Sequence, residues 1–177
     1  MTKPLAFIDV DGVLNIISRK PLRPGMTQQN MILFDHSYPI RLKPEAHAEL
    51  LRELEEAGFE MVWGTTWEDD ANRLIAPELG LPRWPVAMVE AAMQGMLDLP
   101  DLLKGISGFN WKAEGILAYA GDRPFIWIDD DLWKPDHTWA TRRSATVPTR
   151  LIKTNPKEGL MPHHIRKAKQ WLADNEL

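Results

Sequence analysis

The 177-residue chain contains no cysteine. Disulfides and thiolate metal sites are therefore excluded. No apolar run approaches the roughly 20 residues needed to cross a bilayer. The amino terminus has no secretory pattern, because the apolar run at residues 5–10 is broken by Asp9 and followed by Asp11. These absences make a cytoplasmic protein with no membrane partner the expectation. The histidines form no ligand set: His163 and His164 are adjacent, and neighbours on a helix point in different directions. No repeat, low-complexity tract or interdomain linker is visible, so residues 1–177 read as a single domain with one core.

Apolar residues make up 44% and charged residues 26%, ordinary proportions for a globular chain. The net charge of -4 argues against a general nucleic-acid binder. The average conceals an asymmetry. Residues 134–169 carry nine Lys/Arg against Asp136 and Glu158, a local charge of +7 that leaves -11 for the remainder. That basic third either faces an anionic substrate or forms a solvated helix face.

Strands and helices alternate along the chain. Residues 5–10 form a short apolar run between Pro4 and Gly12, the pattern of a buried parallel strand. Pro21, Pro24 and Gly25 mark a loop, and residues 32–34 and 38–42 read as a hairpin turning near His36-Ser37. Pro39 confines its second strand to an edge. Pro44 suits a helix's first turn. Leu50, Leu51, Leu54 and Ala57 give that helix its apolar stripe, and Gly58 ends it. Further strands are expected at 59–63, 125–128 and 149–153, with a short one within 84–89. Further helices are expected at 68–76 (stopped by Pro77), 112–120 (closed by Gly121) and 162–175. This alternation predicts an α/β fold with a mostly parallel, Rossmann-like sheet and helices on both faces.

In such sheets ligands bind beyond the carboxyl ends of the strands. Three expected strands end there in polar residues: Asp9-Val10-Asp11-Gly12, Gly64-Thr65-Thr66 and Asp129-Asp130-Asp131. Lys112 opens the helix before the third of these strands. Asp-x-Asp-Gly also occurs in plain turns and calcium loops, but the later acids of a calcium loop are missing. Thr66 is equally well placed to cap a helix. Lys112 is preferred to Lys104, which lies among the breakers Pro100, Gly105 and Gly108.

The order Asp-Val-Asp-Gly-Val-Leu-Asn, strand-Thr-Thr, Lys, then Trp-Ile-Asp-Asp-Asp resembles the four motifs of the haloacid dehalogenase (HAD) superfamily. It spans Asp9 to Asp131, about two-thirds of the chain. Within the superfamily the chain is most similar to small uncharacterised or RNA-repair-associated HAD domains. The resemblance implies a magnesium-dependent phosphohydrolase in which Asp9 is the nucleophile and Asp11 the acid/base. By the same resemblance, Thr65 donates to a phosphoryl oxygen and Lys112 neutralises charge. Mg2+ would be held by Asp9, the Asp11 backbone carbonyl and Asp130, with Asp129 behind, although the last two are interchangeable on sequence. Thr66, Trp67 and Gly12 are expected against the substrate. Trp67 and Trp133 each follow a motif and either flank a base or ring or pack in the core or rim. Residues 16–43 suit only a loop and flap hairpin, and 68–111 ordinary structure, so no large cap is expected.

The substrate expected first is a phosphorylated small metabolite or nucleotide, cleaved through an aspartyl-phosphate. A polynucleotide end is the alternative. A catalytically idle binding module is the third reading, disfavoured because a binder has no need of Asp11. A true dehalogenase needs neither magnesium nor Asp11.

Overall fold

The structure is a computed structural model that describes residues 2–33, 35–89 and 100–177. Four parallel strands make the central sheet: β1 (Leu5–Ile8), β4 (Glu60–Trp63), β5 (Phe125–Asp129) and β6 (Thr149–Lys153). Their order is β4-β1-β5-β6. In register, Ile8 lies beside Trp63 on one side and Ile128 on the other. The chain runs from β1 to β4 on one side and then crosses to β5 on the other. The strand order therefore switches at β1, and its carboxyl end is where such sheets open a crevice.

Each strand buries both faces, because side chains alternate across a sheet. Ala6, Ile8, Met61, Trp63, Ile126, Ile128 and Ile152 point into one core. There they meet Ala48, Leu51 and Leu54 of α1 (Pro44–Glu56) and Ile165, Ala168 and Leu172 of α5 (Pro162–Asp174). Leu5, Phe7, Val62, Phe125, Trp127 and Leu151 point into the other core. Their partners are Ala113 and Ile116 of α3 (Lys112–Ala120) and Trp139 of α4 (Lys134–Ser144). Leu51 and Leu54 are wholly buried, so truncating either to alanine would cost about 2–5 kcal/mol. The mostly parallel α/β fold expected from the alternation is the one observed.

The flap is longer than the sequence pattern indicates. β2 (Thr27–Leu33) pairs antiparallel with β3 (His36–Leu42). His36 and Ser37 already belong to β3 and do not form the turn, and Asp35 just before them is in the left-handed region at φ 60°. Phe34, expected to end the first flap strand, lies outside the described residues. Pro39 pairs with Asn30, and in a two-stranded sheet its missing N–H costs no ladder to a third strand. Met31, Leu33, Ile40 and Leu42 join the core under α1 and hold the flap down.

The helix expected at 68–76 is replaced by a turn, a π-helical turn at Ala71–Ile75 and α2 (Ala76–Glu78). The Ala76 N–H bonds to Ala71 O, five residues back. Pro77 therefore does not stop the helix. A proline ring crowds the carbonyl four residues back, and the wider π turn makes room for it. Thr66 caps no helix, since Asp70 occupies that position. The strand expected within 84–89 reduces to one bridge between Val86 and Trp63. Helix α4 was not legible in the sequence, because its buried positions are Asp136, Trp139, Ala140 and Arg143, half of them charged. Among the described residues neither gap between motifs carries a cap domain.

Candidate active site

Beyond β1 the chain leaves the sheet abruptly. The Leu14 and Asn15 N–H groups both bond to Val10 O, and Gly12 N–H bonds to Asn15 O. Gly12 has φ 69°, and a Cβ placed on it would lie 2.2 Å from Asp130 Cγ. Only glycine allows the first-motif loop to press against the loop after β5. Thr154 clamps the same loop from beyond β6, its hydroxyl donating to Gly12 O at 2.8 Å.

Asp9 is 3% exposed at the centre of the carboxyl edge. Lys112 Nζ, carried by the first turn of α3, lies 2.9 Å from Asp9 Oδ2 and 2.8 Å from Asp129 Oδ2. The other oxygen of Asp129 accepts the Asp131 N–H at 2.8 Å. Thr65 is fully buried at the end of β4, and its hydroxyl bonds to Asp9. Asp9, Thr65, Lys112, Asp129 and Asp130 are thus brought to one edge. Lys104 instead pairs with Asp101 on the surface.

Asp11 stands apart from that cluster. Its Oδ1 accepts Asn15 Nδ2 at 2.7 Å and its Oδ2 accepts the Trp67 indole N–H at 2.9 Å. Asn15 Oδ1 in turn accepts the Arg41 N–H of β3 at 2.9 Å. One side chain therefore ties Asp11 to the flap. Trp67, expected against the substrate, is 3% exposed and packs in the core. Its polar edge reaches Asp11, so its ring has no face free for a base. Thr66 is half-buried on the same turn. Trp133 is the exposed aromatic, at 60%, with Lys153 Nζ 3.5 Å above its ring.

Several positioning residues escaped the sequence reading. Asn110 accepts the Lys112 N–H at 3.0 Å and donates to Asp131 O at 3.0 Å. Asp136, wholly buried, accepts the Asn110 and Trp133 N–H groups at 2.7 and 2.8 Å. Together they fix Lys112 relative to the Asp129–Asp131 loop. Asn15 lay inside the first motif and was the one with a local signal. The basic segment 134–169 does not act as a block. Arg143 is spent on Thr149 and the Gly121 and Arg123 carbonyls. Lys169 pairs with Glu53, and Lys153 donates to Leu132 O.

The electrostatics follow from burial and crowding. Burial pushes the Asp9 carboxyl up to about 7, against the pull of Lys112 and with a further push from Asp129. Burial works against the Lys112 ammonium, but the two carboxylates outweigh it and hold the lysine charged well beyond its ordinary range. Burial, then the neighbouring Asp129 charge, also raises Asp130. Three carboxylates face a single ammonium. Oxygens of Asp9, Asp129 and Asp130 lie within 4.8 Å of one another, an all-oxygen donor set that fits a hard divalent cation.

Fold and site together define an α/β domain of the HAD superfamily. Residues 5–165 match the family described as the HAD domain in Swiss Army Knife RNA repair proteins, and the chain belongs to that family. No curated protein matches the chain. No helix among the described residues is long and apolar enough to cross a membrane.

Proposed function

We propose that the chain is a Mg2+-dependent phosphomonoesterase that acts through an aspartyl-phosphate on Asp9. The observation that carries this reading is the buried Asp9 carboxylate, held by Lys112 and Thr65 beside Asp129 and Asp130, with a second aspartate two residues on. An Asp9 oxygen attacks phosphorus as the bond to the leaving oxygen breaks, and Asp11 gives that oxygen a proton. Asp11 then takes a proton from water, whose oxygen attacks the same phosphorus and releases Asp9 and phosphate. Lys112 and Thr65 offset the charge on the phosphoryl oxygens. The metal would be held by Asp9, Asp130 and the Asp11 carbonyl. Asp129 would sit behind them, because both of its oxygens are already engaged by Lys112 and Asp131. When bound, the cation screens the repulsion between a carboxylate and a phosphate ester.

The family's RNA-repair description favours a phosphorylated nucleic-acid end over a small metabolite as the substrate. The test is hydrolysis of p-nitrophenyl phosphate with Mg2+, with excess chelator, and by Asp9→Asn. Activity that needs the metal and disappears in the variant supports the reading. Full activity in chelator, or in Asp9→Asn, refutes it.

A further inference from the structure

We propose that the cleft between the loop at 16–20 and the flap is a track for the backbone of a single-stranded polynucleotide whose phosphorylated end reaches Asp9. This rests on the phosphomonoesterase reading and specifies where its substrate lies.

The cleft has a volume of about 980 Å3, and Asp11 and Asn15 line it together with the loop and the flap. It therefore opens on the acid/base. The volume stands at the top of the range for small-ligand sites, far more than one phosphoryl group needs. Four cations line it: Arg19, Lys20, Arg41 and Lys157. Arg41 shapes the wall. Its guanidinium donates to the Ser18 and Lys20 carbonyls, and its Nε donates to Gln28 at 2.7 Å. The other three side chains are exposed and have no hydrogen-bond or ion-pair partner among the described residues. Among the described residues Asp11 is the only acid lining the cleft, and both its oxygens are already occupied.

The positive charge continues away from the site. A smaller adjoining cavity shares Lys20, Arg41 and Lys157 and adds Arg23 and Lys43. Burial and the Arg23 charge both lower the Lys43 ammonium. Like charges have thus been gathered here on a chain whose net charge is -4. Such a row costs repulsion unless an extended anion lies along it. Ile17, 52% exposed, and Pro39 add apolar surface between the cations. A basic groove with interspersed apolar contacts suits a single strand, whose phosphates repeat and whose sugars and bases need apolar faces. A free nucleotide would leave the distant cations unused. The arrangement also explains why the flap is tied to Asp11 through Asn15: strand and acid/base share one wall.

The test compares kcat/KM on 5′- and 3′-phosphorylated oligonucleotides of one, two, four and eight residues, as RNA and as DNA, at several salt concentrations. The enzyme is used as wild type and as Arg19→Ser/Lys157→Ser. For one end chemistry, the wild type should prefer the octamer to the mononucleotide by at least about tenfold. Three phosphate contacts should give a log–log salt slope near -2, from about 0.7 per contact on single strands. The double variant should lose most of the length preference and about 1.4 of the slope. A preference for either sugar identifies the strand and supports the track. No length preference in the wild type, or an unchanged one in the variant, overturns it. Should no phosphate ester be hydrolysed, the phosphomonoesterase reading fails by itself. Fluorescence anisotropy of a hydroxyl-ended octamer then decides the track: salt-dependent binding lost in the variant upholds it, and absent or unchanged binding overturns it.

Discussion

The Trp67 indole N–H donates to Asp11 Oδ2 at 2.9 Å across 56 residues of sequence. With Asn15 on the other oxygen, it holds the carboxylate of the proposed acid/base in one orientation. Trp67→Phe keeps most of the buried ring but removes this donor. A hydrogen bond to a charged group is worth about 1.5–3 kcal/mol, so kcat should fall roughly 10- to 100-fold on an alkyl phosphate. The loss on an aryl phosphate with an acidic leaving group should be smaller, since that oxygen departs without a proton. Equal losses on both substrates would show that the indole supports packing and not proton transfer.

Asp11→Asn bears on the same step directly. The backbone carbonyl assigned to the metal survives, and the proton carrier does not. Steady-state rates should become steeply dependent on leaving-group acidity, and the aspartyl-phosphate should accumulate because water is no longer deprotonated. Burst kinetics on a graded series of aryl phosphates reads both effects. A uniform rate loss with no trapped intermediate would assign the proton to another group.

Lys112→Ala tests the charge balance. Lys112 is 7% exposed, and its ammonium bridges Asp9 and Asp129. Removing one partner of a buried ion pair costs about 3–5 kcal/mol, because it leaves uncompensated charge. Urea unfolding without metal should show that loss, and added Mg2+ should restore part of it by supplying positive charge at the same edge. Unchanged stability would mean that the aspartates are already neutral.

Gly12→Ala should weaken metal binding more than it weakens the fold. The left-handed backbone costs an alanine about 1–2 kcal/mol, whereas its Cβ displaces Asp130 outright. Calorimetric Mg2+ titration should show affinity reduced by an order of magnitude or more. Wild-type affinity would indicate that Asp130 does not hold the ion.

Acid stability depends on His47, whose ring is wholly buried in α1 with neither nitrogen hydrogen-bonded among the described residues. Burial, and then the Lys43 charge, lower it from 6.5 to about 3. Below pH 6.5 the unfolded chain binds a proton there that the folded chain does not take up until about pH 3. Stability from this group is therefore full above pH 6.5 and lost as pH falls through that window, by at most about 1.4 kcal/mol per pH unit. His164, lowered to about 4 by burial first and then by His163 and Lys167, acts in the same direction. Metal-free Asp9, raised to about 7, opposes them, since its folded form retains a proton that the unfolded form gives up above pH 3.8. Comparing wild type with His47→Leu by urea unfolding at pH 4.5 and 6 isolates one proton. The variant should show a flatter dependence by about that slope, and identical dependences would mean that His47 titrates normally in the fold.

The sequence by itself determined the four strands of the parallel sheet and the α/β class, and it pointed to the candidate set Asp9, Asp11, Thr65, Lys112, Asp129 and Asp130. Each is announced by residues adjacent in the chain: an apolar run of strand length followed by polar residues, or a lysine opening a helix. What only the tertiary structure decided is which groups each of those residues meets. Asp129 and Asp130 are neighbours of one residue type. Lys112, 17 residues away, and the Asp131 N–H engage Asp129, whereas Gly12 packs on Asp130. The sequence leaves Trp67 open between a substrate contact and core packing, because nothing local shows that its ring is buried while its indole N–H reaches Asp11. Residues 134–169 carry the densest basic charge in the sequence, but only Lys157 of that segment lines the cleft, and the other cations come from the flap and its loop. Charge and periodicity act locally along the chain. Which side chains meet depends on strand order and on loops packing across the sheet edge, and those contacts exist only once the chain is folded.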